Sequence, residues 1–209
     1  MKILTGIFGA LMAAALSGGN AAAQAYPTKP IRLVVAFATG GATDTFARVT
    51  AAEIGKNVGQ QVIVENRPGA GTTLAAELVA KSAPDGYTLL FTDLSTHAIT
   101  PSLYAKLAYN PSRDLATVAP VSSSPLIMVA HPSVNVKSAK ELIALAKKHP
   151  GITCGNAGMG TVTHMAAEKF RMRAGIDLVA VNYKGGATST ISLLTGEIAL
   201  IVTTIPAAI

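Results

Sequence analysis

The chain has 209 residues, 17 of them basic and 11 acidic, for a formal charge of +6, and a single cysteine. One cysteine excludes an intramolecular disulfide, so the fold must rest on its core. Aromatic residues make up only 5% of the chain and are not interleaved with the basic ones, which argues against a nucleic-acid groove; small anionic ligands suit the sign of the charge better.

Lys2 opens the chain and an apolar run from Ile3 to Leu16 follows. Ser17-Gly18-Gly19-Asn20 breaks that run, and Ala23-Gln24-Ala25 offers a small-x-small cleavage site. This is the pattern of a secretory signal peptide over residues 1–25, too short to span a membrane. No Cys follows the run, so a lipid-anchored precursor is not expected, and the mature chain should begin at Tyr26 in a bacterial periplasm. Without Lys2, 16 basic residues face 11 acidic ones, a formal +5. Much of the excess lies in Lys137, Lys140, Lys147 and Lys148 and in Lys169, Arg171 and Arg173, which read as solvated helix faces and helix C-termini.

Ile31 to Ala36 is an apolar, β-branched run that predicts a buried strand. Ala47, Ala51, Ile54 and Val58 recur at helical spacing beyond it. Between them Thr39-Gly40-Gly41-Ala42-Thr43-Asp44 turns the chain, with Thr43 and Asp44 as candidate N-caps. A strand that enters a helix through a Gly-Gly turn leaves backbone N–H groups unpaired, and with the helix dipole they form a seat for an anion. The same turn also serves many α/β proteins purely as a corner.

The pattern then repeats. Gln61 to Glu65 predicts a second strand, Asn66 to Gly71 a turn, and Leu74, Ala75, Leu78 and Val79 a helix. Pro84-Asp85-Gly86 turns into a third strand, Tyr87 to Thr92, followed by a polar loop through Ser95, Thr96 and His97 and a short helix near Pro101 to Tyr104. Alternating strands and helices predict a mainly parallel sheet covered on both faces, with ligands beyond the C-terminal strand ends. From Asn110 to Ser124 the chain is extended and proline-punctuated, and the passage to a second domain falls here, dividing the mature chain into 26–122 and 123–209.

In the second part, Leu126 to Ala130 is a strand. Ser138 caps a helix with Ala139, Leu142, Ile143 and Ala146 on one face, closed by His149-Pro150-Gly151. Ile152 to Cys154 is a strand, and Gly155 to Thr161, with Gly158 and Gly160, is a second Gly-rich strand-to-helix turn. Val162, Ala166 and Phe170 mark the next helix, and Leu178 to Val181 the next strand. Asn182 to Thr188, containing Lys184-Gly185-Gly186-Ala187, is a third such turn. It enters a helix marked by Ala187, Ile191 and Leu194, and Ile198 to Thr203 is the last strand.

Cys154 and His164 suggest an exported enzyme with a thiol nucleophile. They stand ten residues apart across a turn with no third orienting group, and a small buried thiol at a strand end is the plainer account. The glycines at 155, 158 and 160 do not make the dinucleotide fingerprint, and no cofactor is expected. His97, His131, His149 and His164 lack Cys or carboxylate neighbours at ligand spacing, so no metal site is expected. Lys184 could meet a substrate or simply sit on a surface turn.

Six stretches, in order, carry a family resemblance. They are Tyr26-Pro27-x-Lys29-Pro30-Ile31-Arg32; Gly40-Gly41-Ala42-Thr43-Asp44; Val64-Glu65-Asn66-Arg67-Pro68-Gly69-Ala70-Gly71; Ala83-Pro84-Asp85-Gly86-Tyr87; Thr96-His97-Ala98-Ile99 with Pro101-Ser102-Leu103-Tyr104; and Tyr183-Lys184-Gly185. The chain resembles the substrate-binding proteins of tripartite tricarboxylate transporters, the Bug family of periplasmic binding proteins. The resemblance implies a two-lobed α/β periplasmic-binding-protein-like fold, with mainly parallel sheets flanked by helices, closing as a monomer on a small di- or tricarboxylate that an inner-membrane permease then receives. It implies that Thr39 to Asp44 bind one carboxylate through backbone amides and waters, with polar contacts from Ser95, Thr96 and His97. Gly158 to Thr161 and Lys184 to Ala187 would meet the far end of the ligand from the second lobe.

Three departures stand out. Thr39 replaces the family's second proline before the Gly pair. Thr203-Thr204 replace its usual Asp-Asn, which tells against ligands bearing an amino group. Family members also continue past Ile209, completing the second lobe and returning to the first, so both lobes are expected to be incomplete and the chain a truncated product; an inactive gene fragment is a further alternative.

Overall fold

A computed structural model describes residues 25–208. The signal segment expected over residues 1–25 lies outside them except for Ala25.

Two sheets organise the chain. The first is parallel, in the order β2-β1-β3, from β1 (Ile31–Val35), β2 (Val62–Asn66) and β3 (Thr88–Phe91). Central β1 is buried on both faces, which is why Ile-x-Leu-Val-Val reads as a continuous apolar run. Leu33 and Val35 pack on Ala47 and Ala51 of helix α1 (Ala42–Val58), while Val34 and Ala36 pack on Ala75 of α2 (Thr73–Ala80). Only the first part of the expected α1 stripe is buried: Ile54 is half-buried and Val58 is exposed. The cause is length, since 17 helical residues span about 25 Å and a five-residue strand about 17 Å, so the last turn overhangs the sheet. The 95–97 segment, expected as a loop, is a wide helical turn, Ser95–Ile99, leading into α3 (Thr100–Leu103).

The second sheet has the order β4-β7-β5-β6, from β4 (Leu126–Ala130), β5 (Ile152–Asn156), β6 (Leu178–Asn182) and β7 (Leu200–Thr204). Edge strand β4 runs antiparallel to β7 and the other pairings are parallel. Helices α4 (Ala139–Lys148) and α5 (Val162–Ala174) share one face, where Leu142, Ala146 and Ala167 meet Cys154, Leu178, Leu200 and Val202. Ser138 caps α4 as expected, its hydroxyl accepting the Glu141 amide at 3.2 Å.

Helix α6 (Gly186–Leu194) covers the other face through Leu193 on Ile198 and Ile201. It presents a different side from the one its apolar residues mark: Ile191 and Leu194 are 61% and 74% exposed, and Ser189, Ser192 and Leu193 are buried. The serines can be buried because each hydroxyl is satisfied locally, Ser189 by the Gly186 carbonyl at 2.9 Å and Ser192 by Glu197 at 2.6 Å.

Candidate functional site

The parallel strands of both sheets point their C-terminal ends toward each other, and the loops beyond them meet. Ala38 donates its amide to the Lys184 carbonyl at 3.1 Å. Ser95 accepts the amide of Val162 at 3.0 Å. Between these contacts lies a cleft of about 180 Å³ lined by Phe37, Gly69–Thr72, Tyr104, Gly158, Met159, Thr161, Tyr183 and Lys184 among others.

On the first side, Gly41 rather than Thr43 or Asp44 is the N-cap of α1, and no side chain caps it. Asp44 stands in the third helical position and folds back, its Oδ2 accepting the Gly40 amide at 2.9 Å and Arg48 Nε at 3.0 Å, its Oδ1 accepting Asn66 Nδ2 at 2.8 Å. Asn66 also donates to the Phe37 carbonyl at 3.0 Å, so the carboxylate ties the loop to the end of β2. Burial pushes the Asp44 carboxyl up, but hydrogen bonds from Arg48, Gly40 and Asn66 outweigh it and hold it below the usual carboxylate range. Asp44 is therefore a strut with its oxygens engaged. The amides of Ala42 and Thr43 have no acceptor within the helix.

On the second side, Gly185 is the N-cap of α6, again with no side-chain cap. A Cβ on Gly41 would stand 3.6 Å from the Ala187 nitrogen and 3.8 Å from that of Gly186, and one on Gly40 would stand 3.8 Å from Ala187 Cβ. Two uncapped helix N-termini from different sheets thus meet head to head, close enough that a Cβ at Gly41 would be in ordinary contact with the facing amides. Like dipole ends repel, and an anion between them relieves both.

The third Gly-rich helix start is different. At α5 Thr161 is the N-cap, its hydroxyl accepting the His164 amide at 3.4 Å, and Ser95 takes the Val162 amide. Protein hydroxyls already occupy that terminus. Gly158 and Thr161 line the cleft and Gly160 packs beside it, where a Cβ would stand 2.6 Å from Leu103.

Ser95 and Thr96 are fully buried behind the cleft wall. Thr96 Oγ1 lies 2.9 Å from Thr72 Oγ1 and 2.6 Å from Thr92 Oγ1. Asp93 accepts the Ser95 amide at 2.9 Å; burial pushes its carboxyl up, against the hydrogen bonds from Ser95. His97 lies apart, on an open depression of about 350 Å³ shared with Tyr104, Tyr109 and Pro111.

Residues that the sequence did not assign to the site also build the cleft. Ala70 and Thr72, on either side of Gly71, hold positive φ, 46° and 83°. Left-handed backbone at a β-branched residue costs on the order of 1–3 kcal/mol and concentrates at functional sites. Gly71 approaches the Met159 carbonyl so closely that a Cβ would overlap it. Tyr183 lines the cleft, and its hydroxyl and the Nδ2 of Asn156 are buried with no hydrogen-bond partner among the described residues. A glycine pair between apolar runs is visible in sequence, whereas a threonine in a left-handed turn leaves no such mark.

Cys154 is 1% exposed within the second core, and burial, reinforced by Glu168, pushes its thiol up to about 12. His164 Nδ1 accepts the Gly160 amide at 3.2 Å. The pair has the setting of a core thiol and a turn-holding imidazole, not of an activated nucleophile.

A family model described as "Tripartite tricarboxylate transporter family receptor" matches residues 46–209. The chain belongs to this family. It is 35% identical to protein BugT of Bordetella pertussis over 99% of its own length and 64% of BugT. Rpa4515 of R. palustris, solved with adipate, superposes with a TM-score of 0.85 at 33% identity, covering 88% of this chain and 62% of that one. MatC (Rpa3494) from Rhodopseudomonas palustris, solved with bound malate, superposes with a TM-score of 0.83 at 34% identity, covering 88% and 63%. The chain thus spans a little under two thirds of BugT and of these solved proteins.

Proposed function

We propose that this family member is a periplasmic solute receptor that holds a small di- or tricarboxylate between its two lobes, 26–122 and 123–209, and delivers it to a tripartite tricarboxylate permease. The meeting of the uncapped N-termini of α1 and α6 carries the reading, because it concentrates unpaired N–H groups and two positive dipole ends at one point, a few residues along the chain from Phe37 and Lys184 of the cleft lining. The adipate and malate held by the two superposed proteins support the chemical class. Backbone amides of Gly41 to Thr43 and Gly186 to Ala187 take one carboxylate, and Thr161, Tyr183 and Lys184 face the rest of the acid. Export removes residues 1–25, and the mature protein acts as a monomer without cofactor or catalysis.

The test is isothermal calorimetry of the mature chain with malate, succinate, adipate and citrate, paired with thermal melts. An acid at a hundred times its dissociation constant adds about 2.7 kcal/mol to stability. Saturable binding of one of these acids, recovered unchanged, supports the receptor. Turnover of the acid, or melts insensitive to all four at millimolar concentration, overturns it. N-terminal sequencing of exported material should begin at Tyr26.

A further inference from the structure

One hydrogen bond joins a side chain of the first half directly to a helix start of the second. Ser95 is fully buried, and its hydroxyl accepts the Val162 amide across the cleft at 3.0 Å. Val162 is the first residue of α5, so its N–H has no partner within its own helix. The serine is held rigidly for this role. Its own amide is fixed by Asp93, and the next residue, Thr96, is locked between Thr72 and Thr92. Around it the surfaces interlock, with Gly71 against the Met159 carbonyl and Gly160 against Leu103.

We propose that Ser95 is a positioning residue for closure: its hydroxyl stands in for an anion at the N-terminus of α5 and holds the two lobes together before any ligand arrives. The bond forms only when the halves meet, because serine and amide belong to different sheets. It adds the same increment to closure whichever acid is bound, and it takes the Val162 amide of the α5 terminus out of use for a ligand, leaving the bare helix starts of α1 and α6 to hold the carboxylate. The consequence for affinity rests on the receptor reading above, whereas closure without ligand does not.

The test removes each partner separately. Ser95→Ala deletes the acceptor. Val162→Pro deletes only the donor, since proline suits the first helical position and Thr161, at φ −80° and ψ 163°, already has the extended backbone that a residue before proline needs. Spin labels at exposed positions 57 and 148 report the distance between the halves in the absence of ligand. Each single variant should lower the closed-to-open ratio by about 3- to 10-fold, the worth of one hydrogen bond. The double variant should lose no more than either single one. Unchanged distances in both single variants, or losses that multiply in the double, overturn the proposal. Should Ser95→Ala fail to fold, as seen by circular dichroism, Val162→Pro decides alone.

Acid titrations add a second reading. A closing residue weakens all acids by the same factor. A loss confined to one acid would make Ser95 a ligand contact and overturn the proposal. Failure of every acid to bind the unmodified protein would overturn the receptor reading, and the distances would still decide the role of Ser95.

Discussion

Gly41 and the amide of Ala187 face each other from different sheets, so that a Cβ on Gly41 would stand 3.6 Å from the nitrogen. The two residues begin helices on different sheets, and a side chain longer than Cβ at Gly41 would reach into the gap between both helix starts, where the proposed carboxylate sits. Gly41 has φ −84° and ψ 170°, ordinary extended backbone, so a larger residue here meets a steric obstacle and no backbone strain.

Gly41→Val should therefore keep the fold and lose the ligand. Losing one or two charge-assisted hydrogen bonds, each contributing about 1.5–3 kcal/mol, weakens binding at least tenfold. Gly41→Ala should fall between. Calorimetry beside a melting curve checks both, and full affinity in the valine variant would move the carboxylate elsewhere.

Acid stability should depend on Glu65. Hydrogen bonds from Arg32, opposed by desolvation and joined by Arg67, lower its carboxyl from 4.5 to about 2. A depressed folded-state value means that the stabilisation is complete above the unfolded value and is lost as pH falls through the folded one. The window is pH 4.5 down to about 2, and because Arg32 and Arg67 are open to solvent and water screens the pairs, the contribution at neutral pH is about 1 kcal/mol. Melting temperature against pH should flatten in that window for Glu65→Gln.

Cys154 should be silent in the native state. With its thiol pushed up to about 12 and its surface buried, it should resist a thiol reagent at pH 8 until denaturant is added. Cys154→Ala should cost about 1 kcal/mol of stability and leave acid binding unchanged. Rapid labelling of the folded protein would revive the nucleophile reading.

The two leucines at the end of α6 should separate cleanly. Leu193 is 5% exposed and Leu194 is 74% exposed. Leu193→Ala should cost about 2–4 kcal/mol, while Leu194→Ser should stay within about 0.5 kcal/mol, measured by urea unfolding. Equal costs would mean that α6 packs through the other face.

Sequence alone determined what short-range chemistry controls. β1 was legible because a central parallel strand is buried on both faces and so is apolar throughout, and Ser138 because a cap acts within three residues. The Gly-rich turns were legible for the same reason, since a strand-to-helix corner needs small residues and leaves its amides bare. Tertiary structure decided which of these corners are available. Asp44 looks like a cap or ligand group in sequence, but Arg48 and Asn66 turn it into a strut. The α5 terminus looks as open as the other two until Ser95, 67 positions earlier, reaches it. The exposed side of α6 reverses because Ser189 and Ser192 satisfy their hydroxyls locally and can be buried. Hydrogen-bond satisfaction depends on where distant residues finally lie, and no spacing along the chain records that.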